Sequence, residues 1–215
     1  MKQVIAKNGL ILSLFAIITS GLIALTYFGT QEQIEQQRQQ TLLAILDELV
    51  PRDSYDNLMQ HDCVLVTSQA YLGSNSPHHI YRATRAGEPV AAVIEATAPN
   101  GYSGRIELVV GLSGDATVSG VRVIDHKETP GLGDKIDLRI SDWVLGFNNQ
   151  QLTEDNASNW AVKKDGGQFD QFTGATITPR AVVSAVKNTA LYYQANKEAI
   201  FSASNECRSQ LASQG

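Results

Sequence analysis

A chain of 215 residues with 43% hydrophobic and 18% charged residues holds enough apolar material for a packed domain, which excludes general disorder. Its 17 basic and 22 acidic side chains leave a formal charge of -5 with no Lys/Arg cluster, so a nucleic-acid partner is set aside.

The N-terminus imposes the first constraint. From Gly9 to Gly29 no residue is charged, and about 20 apolar residues in helical form are enough to cross the hydrocarbon core of a bilayer. A cleaved signal peptide is the competing reading. The run is longer than a signal-peptide core and no small-x-small cleavage site follows it, so residues 9–29 are expected to be a retained anchor. Lys2 and Lys7 precede the span, while Glu32 and Glu35 come before the next base, Arg38. This bias puts residues 1–8 in the cytoplasm and the rest of the chain across the membrane. In a Gram-negative bacterium that is an inner-membrane protein with a periplasmic domain.

Residues 30–60 read as a helical connector. Positions 31–40 are polar and Gln-rich, and Leu42, Leu43, Leu46, Leu49 and Val50 then form one helical stripe that stops at Pro51. Residues 61–215 form the folded domain. Segments 64–72, 79–85, 89–98, 105–112 and 116–125 are rich in Val, Ile and Thr and read as strands. Gly87, Pro99-Asn100-Gly101 and Ser113-Gly114-Asp115 supply the turns, and such short connections imply antiparallel neighbours. The pattern predicts a helix over 134–147, a further strand over 160–164 and a closing helix over 179–197. The expected fold is α+β, a largely antiparallel sheet with packed helices, preceded by one transmembrane helix.

Cys63 and Cys207 stand far apart and outside any CxxC pair. They are either two buried thiols or a disulfide, and an oxidising compartment favours the disulfide. His61, His78, His79 and His126 show no ligand spacing, so no metal site is expected, and His78-His79 beside Pro77 read as an exposed turn pair.

The segment FTGATITPRAVVSAV (172–186) carries the chemistry. Gly174 permits a tight turn, and Pro179 suits the first position of a helix. Thr178 is then expected as the N-cap, beside amides and a dipole that favour an anion such as a phosphate ester. Locally this is also an ordinary helix start, and most such threonines make only a hydrogen bond.

TGATIT (173–178) resembles the [ST]GATx[ST] flavinylation motif of the FMN-binding subunits of the Rnf and Na+-translocating NADH:quinone reductase complexes. GYSGRI (101–106) and HKETPGLGDKI (126–136) resemble two further segments of that family, in the same order. With the anchor, the likeness covers nearly the whole chain. The compact length is nearer the G subunit of the Rnf (or Rsx) complexes than the longer C subunit of the quinone reductases.

The resemblance implies FMN joined by a phosphodiester to Thr178, not to Thr176, with attachment by a separate extracytoplasmic flavin transferase that uses FAD. Thr173 keeps a hydroxyl where the family often has Ser, and Gly174, Ala175 and Thr176 would flank the cofactor. A second wall would come from Glu128, Thr129, Gly131, Leu132 and Gly133, a stretch that would otherwise read as an ordinary loop. Tyr102 and Trp143 are the aromatic candidates beside the ring; Trp160 and Tyr192 are assigned to the core. Arg180 either offers charge to the phosphate or is solvated, and Lys163 and Asp170 carry no assignment. The implied function is an anchored one-electron carrier, not catalytic alone, within an ion-translocating ferredoxin/NAD oxidoreductase whose other subunits include membrane proteins. Two alternatives stay open: a C-type subunit of a Na+-translocating NADH:quinone reductase, and an anchored non-redox binding module.

Overall fold

The computed structural model describes residues 2–207, which fall into two compact units, one ending at Leu43 and one beginning at Ala44. Helix α1 runs over Lys2–Leu49. Within it, Ala6–Gln31 has a mean hydropathy of 2.2 and is long and apolar enough to cross a membrane. Three threonine hydroxyls in this stretch are satisfied inside the helix: Thr19, Thr26 and Thr30 donate to the carbonyls of Phe15, Leu22 and Thr26 at 2.8–2.9 Å. That removes the cost of placing them in an apolar medium.

The second unit is built on one antiparallel sheet. Its strands are β1 (Cys63–Val66), β2 (His78–Arg85), β3 (Glu88–Ala98), β4 (Ile106–Ser113), β5 (Thr117–Asp125) and β6 (Gln150–Gln151), in the order β1-β2-β3-β4-β5-β6. A short helix α2 (Gln69–Leu72) follows β1, and α3 (Ile177–Ser202) closes the fold. Alternation along β4 assigns its two faces. Ile106, Leu108, Val110 and Leu112 join the core that α3 completes with Val182, Val183, Val186, Ala190 and Tyr193, all buried. The opposite face receives the end of α1: a Cβ on Gly111 would lie 3.1 Å from the Leu49 side chain, and one on Gly120 at 2.7 Å. Close packing of Leu49, buried with Leu46 and Val50, therefore depends on glycine in the sheet.

The five expected strands are present, and the α+β antiparallel fold with one N-terminal apolar helix is the observed one. Differences lie in the irregular parts. The first expected strand stops at Val66 and gives way to α2. The helix expected over 134–147 is two 3₁₀ segments, Asp134–Ile136 and Asp142–Phe147. Between them, Asp137 and Ser141 are extended; the Asp137 carboxylate takes the Arg139 side chain, and the Ser141 hydroxyl accepts from the Trp143 amide at 3.2 Å. Side-chain competition of this kind breaks a regular helix. Segment 160–164 forms no strand; Val162 makes one isolated bridge to Phe169, and a 3₁₀ turn follows over Lys163–Asp165. His78 and His79 belong to β2, and His78 is buried. A Cys63–Cys207 disulfide joins the start of β1 to the tail beyond α3, with Cα atoms 5.2 Å apart.

Candidate functional site

The site forms where α3 begins. Gly174 adopts φ +82, and the Ala175 amide donates to the Phe172 carbonyl at 3.1 Å, so the chain turns sharply into the helix. Thr176, not Thr178, occupies the N-cap position, without a side-chain cap bond. Ile177 is the first helical residue and Thr178 the second, a correction to the expected cap. Pro179 is tolerated in the first turn because an amide there has no helical acceptor.

This advance of the helix start places Thr178 inside. Its side chain has no exposed surface, and Oγ1 donates a short hydrogen bond to Oε2 of Glu128, fifty residues earlier in the chain. Glu128 is itself 5% exposed. Its Oε1 accepts from the Ser103 amide at 3.0 Å, and its own amide donates to Nδ1 of His126 at 3.1 Å. The following loop closes on both groups. Gly131 takes φ +76, and the amides of Leu132 and Gly133 both donate to the Thr129 carbonyl, at 3.1 and 3.0 Å. A Cβ on Gly133 would stand 2.9 Å from Glu128 Oε2 and 2.9 Å from Thr178 Oγ1. Only a residue without a side chain fits there.

Around this contact lies a cavity of about 260 Å³, lined by Tyr102, Glu128, Thr129, Leu132, Gly133, Gly174, Ala175, Thr176, Ile177 and Thr178. Three apolar or aromatic side chains stand at its exposed side: Tyr102 is 67% exposed, Ile177 46% and Leu132 43%. Nine of the residues expected at the site thus converge. Thr173 and Gly131 do not line the cavity. Trp143 lines a separate cavity of about 330 Å³, held by an Nε1 hydrogen bond to the Asp170 carbonyl at 2.7 Å and by edge contacts to Phe147 and Phe172. Trp160 is buried in the core, and Tyr192 packs against it in part. Ile177 escapes a reading of the sequence, since the x of a GATx[ST] pattern carries no chemical signal. The amide of Ser103 escapes it too.

No Lys or Arg lines the cavity. Arg180 turns to Asp165, with bonds of 2.6 and 2.8 Å that hold the Asp165 carboxyl below its ordinary range. Lys163 pairs with Asp170 at 2.6 Å. An anion entering the cavity would therefore rely on the first-turn amides and dipole of α3.

Comparisons with known proteins agree with these features. The FMN-binding domain family matches residues 101–190, and the RnfG N-terminal region matches residues 1–49. The G subunit of the ion-translocating oxidoreductase complex of Pseudoalteromonas atlantica is 98% identical over 215 residues, all of both chains. The protein of the same name from Vibrio cholerae is 54% identical over 210 residues, covering 98% of this chain and 100% of that one. Its counterpart in Yersinia pestis is 54% identical over 194 residues, 90% and 92% of the two chains. Among solved structures, the crystal structure of Shewanella oneidensis NqrC is similar at TM-score 0.43 and 21% identity, over 67% of this chain and 73% of that one. That likeness is too loose to transfer residue roles.

The cavity suits a phosphorylated flavin on three counts. It holds threonine hydroxyls able to form an ester, Thr178 among them, a backbone cradle that a Cβ at Gly133 would fill, and an exposed apolar side for a ring. The chain belongs to the family of G subunits of the ion-translocating oxidoreductase complexes, with its FMN-binding domain spanning both walls of this cavity.

Proposed function

We propose that this protein is a single-pass membrane-anchored electron carrier whose FMN is joined through its phosphate to Thr178, acting as one subunit of an ion-translocating oxidoreductase complex. The observation behind this reading is the meeting of two distant segments, the ETPGLG turn and the GATIT turn, at one buried hydroxyl. When bound, FMN supplies the one-electron chemistry. The protein's part is to hold and shield it. The Ile177 and Thr178 amides at the start of α3 would serve the phosphate charge, Gly133 would admit close backbone approach, and Leu132, Ile177 and Tyr102 would give the ring an apolar border. Thr129 and Thr176 add polar contacts within the same cavity.

Residues 9–29 anchor the protein, the rest of the unit up to Leu43 connects, and the unit that begins at Ala44 carries the flavin on the outer side of a bacterial inner membrane. Lys2 and Lys7 keep the N-terminus inside. Attachment is the work of a separate flavin transferase with FAD as donor, and electrons pass to and from neighbouring subunits of the complex. An ion path does not run along this anchor, which has no ionisable side chain of the acidic or basic kind between Gly9 and Gly29.

The test is co-expression with a flavin transferase, followed by in-gel flavin fluorescence under denaturing conditions and intact mass. Wild type and Thr176→Ala carry one covalent FMN; Thr178→Ala carries none. A colourless wild-type chain overturns the redox reading, and fluorescence that persists in Thr178→Ala moves the attachment point.

A further inference from the structure

We propose that Glu128 is the catalytic base of flavin attachment, taking the proton from Thr178 as the hydroxyl becomes an ester; this rests on Thr178 being the attachment point. A threonine hydroxyl is a weak nucleophile and needs an adjacent proton acceptor. Thr178 Oγ1 already directs its hydrogen at Glu128 Oε2. Among the residues lining the cavity, Glu128 is the one carboxylate, and no His, Lys, Asp or Cys accompanies it.

Its geometry is fixed from three sides. The Ser103 amide holds Oε1 at 3.0 Å. Gly133 packs so closely that a Cβ there would touch both Oε2 and Thr178 Oγ1, and a Cβ on Gly101 would stand 2.9 Å from Oε1. With both its carboxylate and its partner buried, Glu128 cannot swing into water and leave the hydroxyl behind.

In the attachment step, a bond forms from Thr178 Oγ1 to the flavin-side phosphorus of a flavin dinucleotide. The bond from that phosphorus to the bridging oxygen breaks, and its electron pair leaves with the adenosine monophosphate. The proton passes from Thr178 Oγ1 to Glu128 Oε2. Held there, it also keeps two negative groups from facing each other once the ester carries charge.

The experiment follows attachment in time, using full-length unmodified protein, a purified flavin transferase and FAD, read by covalent flavin fluorescence and intact mass. General-base assistance of this kind contributes on the order of 10²–10⁴ in rate. Glu128→Gln, which preserves shape, is expected to be slowed at least about 100-fold with an unchanged melting temperature. Glu128→Ala is expected to be slow and to regain rate on addition of formate, which supplies a carboxylate to the vacated space, and not on addition of chloride. Attachment to Glu128→Gln at the wild-type rate overturns the proposal. So does slow attachment to Glu128→Ala that formate does not restore, because Glu128 would then only support the loop. Peptide mapping of the wild-type product is done first; flavin found off Thr178 defeats the underlying reading before any Glu128 variant is compared.

Discussion

Tyr193 lies on the face of α3 that packs on the sheet, fully buried, and its hydroxyl has no hydrogen-bond partner among the described residues. Burial, with Asp115 adding to it, pushes its pKa up to about 12. A buried polar group without a partner costs about 1–3 kcal/mol, whereas the ring itself fills core volume. Tyr193→Phe is therefore expected to raise stability, by about 1 kcal/mol, seen as a higher urea midpoint with an unchanged slope. A lower midpoint would show that the hydroxyl has a partner in solution. At this scale the sequence exposes some contacts and hides others. Gly174 and Thr178 are legible because a turn and a helix start have local signatures. The bond from Thr178 to Glu128 is not, because it depends on how a loop fifty residues away is threaded back over the helix.

Among the elements, β2 carries two neighbouring histidines with opposite behaviour. His79 Nδ1 lies 2.8 Å from Glu95 Oε2, and this hydrogen bond raises its pKa above the ordinary value of 6.5. Burial lowers that of His78. A raised histidine stabilises the fold fully below its unfolded value, and the contribution disappears as pH climbs through the folded value. A depressed histidine does the reverse: its contribution is present above 6.5 and is lost as pH falls through the folded value. His79→Gln is thus expected to lag wild type most on the acid side of 6.5, with the gap closing as pH rises. His78→Gln is expected to lose less stability than wild type on acidification. Urea unfolding at one pH on either side of 6.5 checks both; parallel curves for His79→Gln and wild type would contradict the pairing. The pattern of Val, Ile and Thr made β2 to β5 readable, since each buries at least one face. It did not make β6 readable: Gln150 and Gln151 have no apolar signal and pair because Asn149, at φ +61, turns them against β5. The Arg82 guanidinium, bonded to the carbonyls of Ile200 and Ala203 and to Asp62, closes the end of α3 from a strand, another pairing without a local signature.

For the whole molecule, the Cys63–Cys207 bond spans 144 residues and so closes almost the entire second unit. The tail is also held by polar contacts to β1: the Glu206 amide donates to the Cys63 carbonyl at 2.8 Å, and the Leu65 amide to the Glu206 carboxylate at 3.0 Å. A loop of this length corresponds to an entropic stabilisation on the order of 5 kcal/mol, with about 2–5 kcal/mol usual when native disulfides are removed. Such a bond matches a domain placed in an oxidising compartment. Helix α3, with 26 residues, separates the disulfide end from the Thr178 end by about 40 Å at 1.5 Å per residue. Distance of that order makes the two functions separable. Cys207→Ser is expected to lose about 2–5 kcal/mol in urea unfolding and to accept flavin on Thr178 at the wild-type rate while folded. Wild type treated with a reductant should show the same loss, because the variant and the reduced protein lack the same constraint. If Cys207→Ser instead folds normally but takes no flavin, the tail shapes the cavity, and α3 transmits between its ends rather than holding them apart.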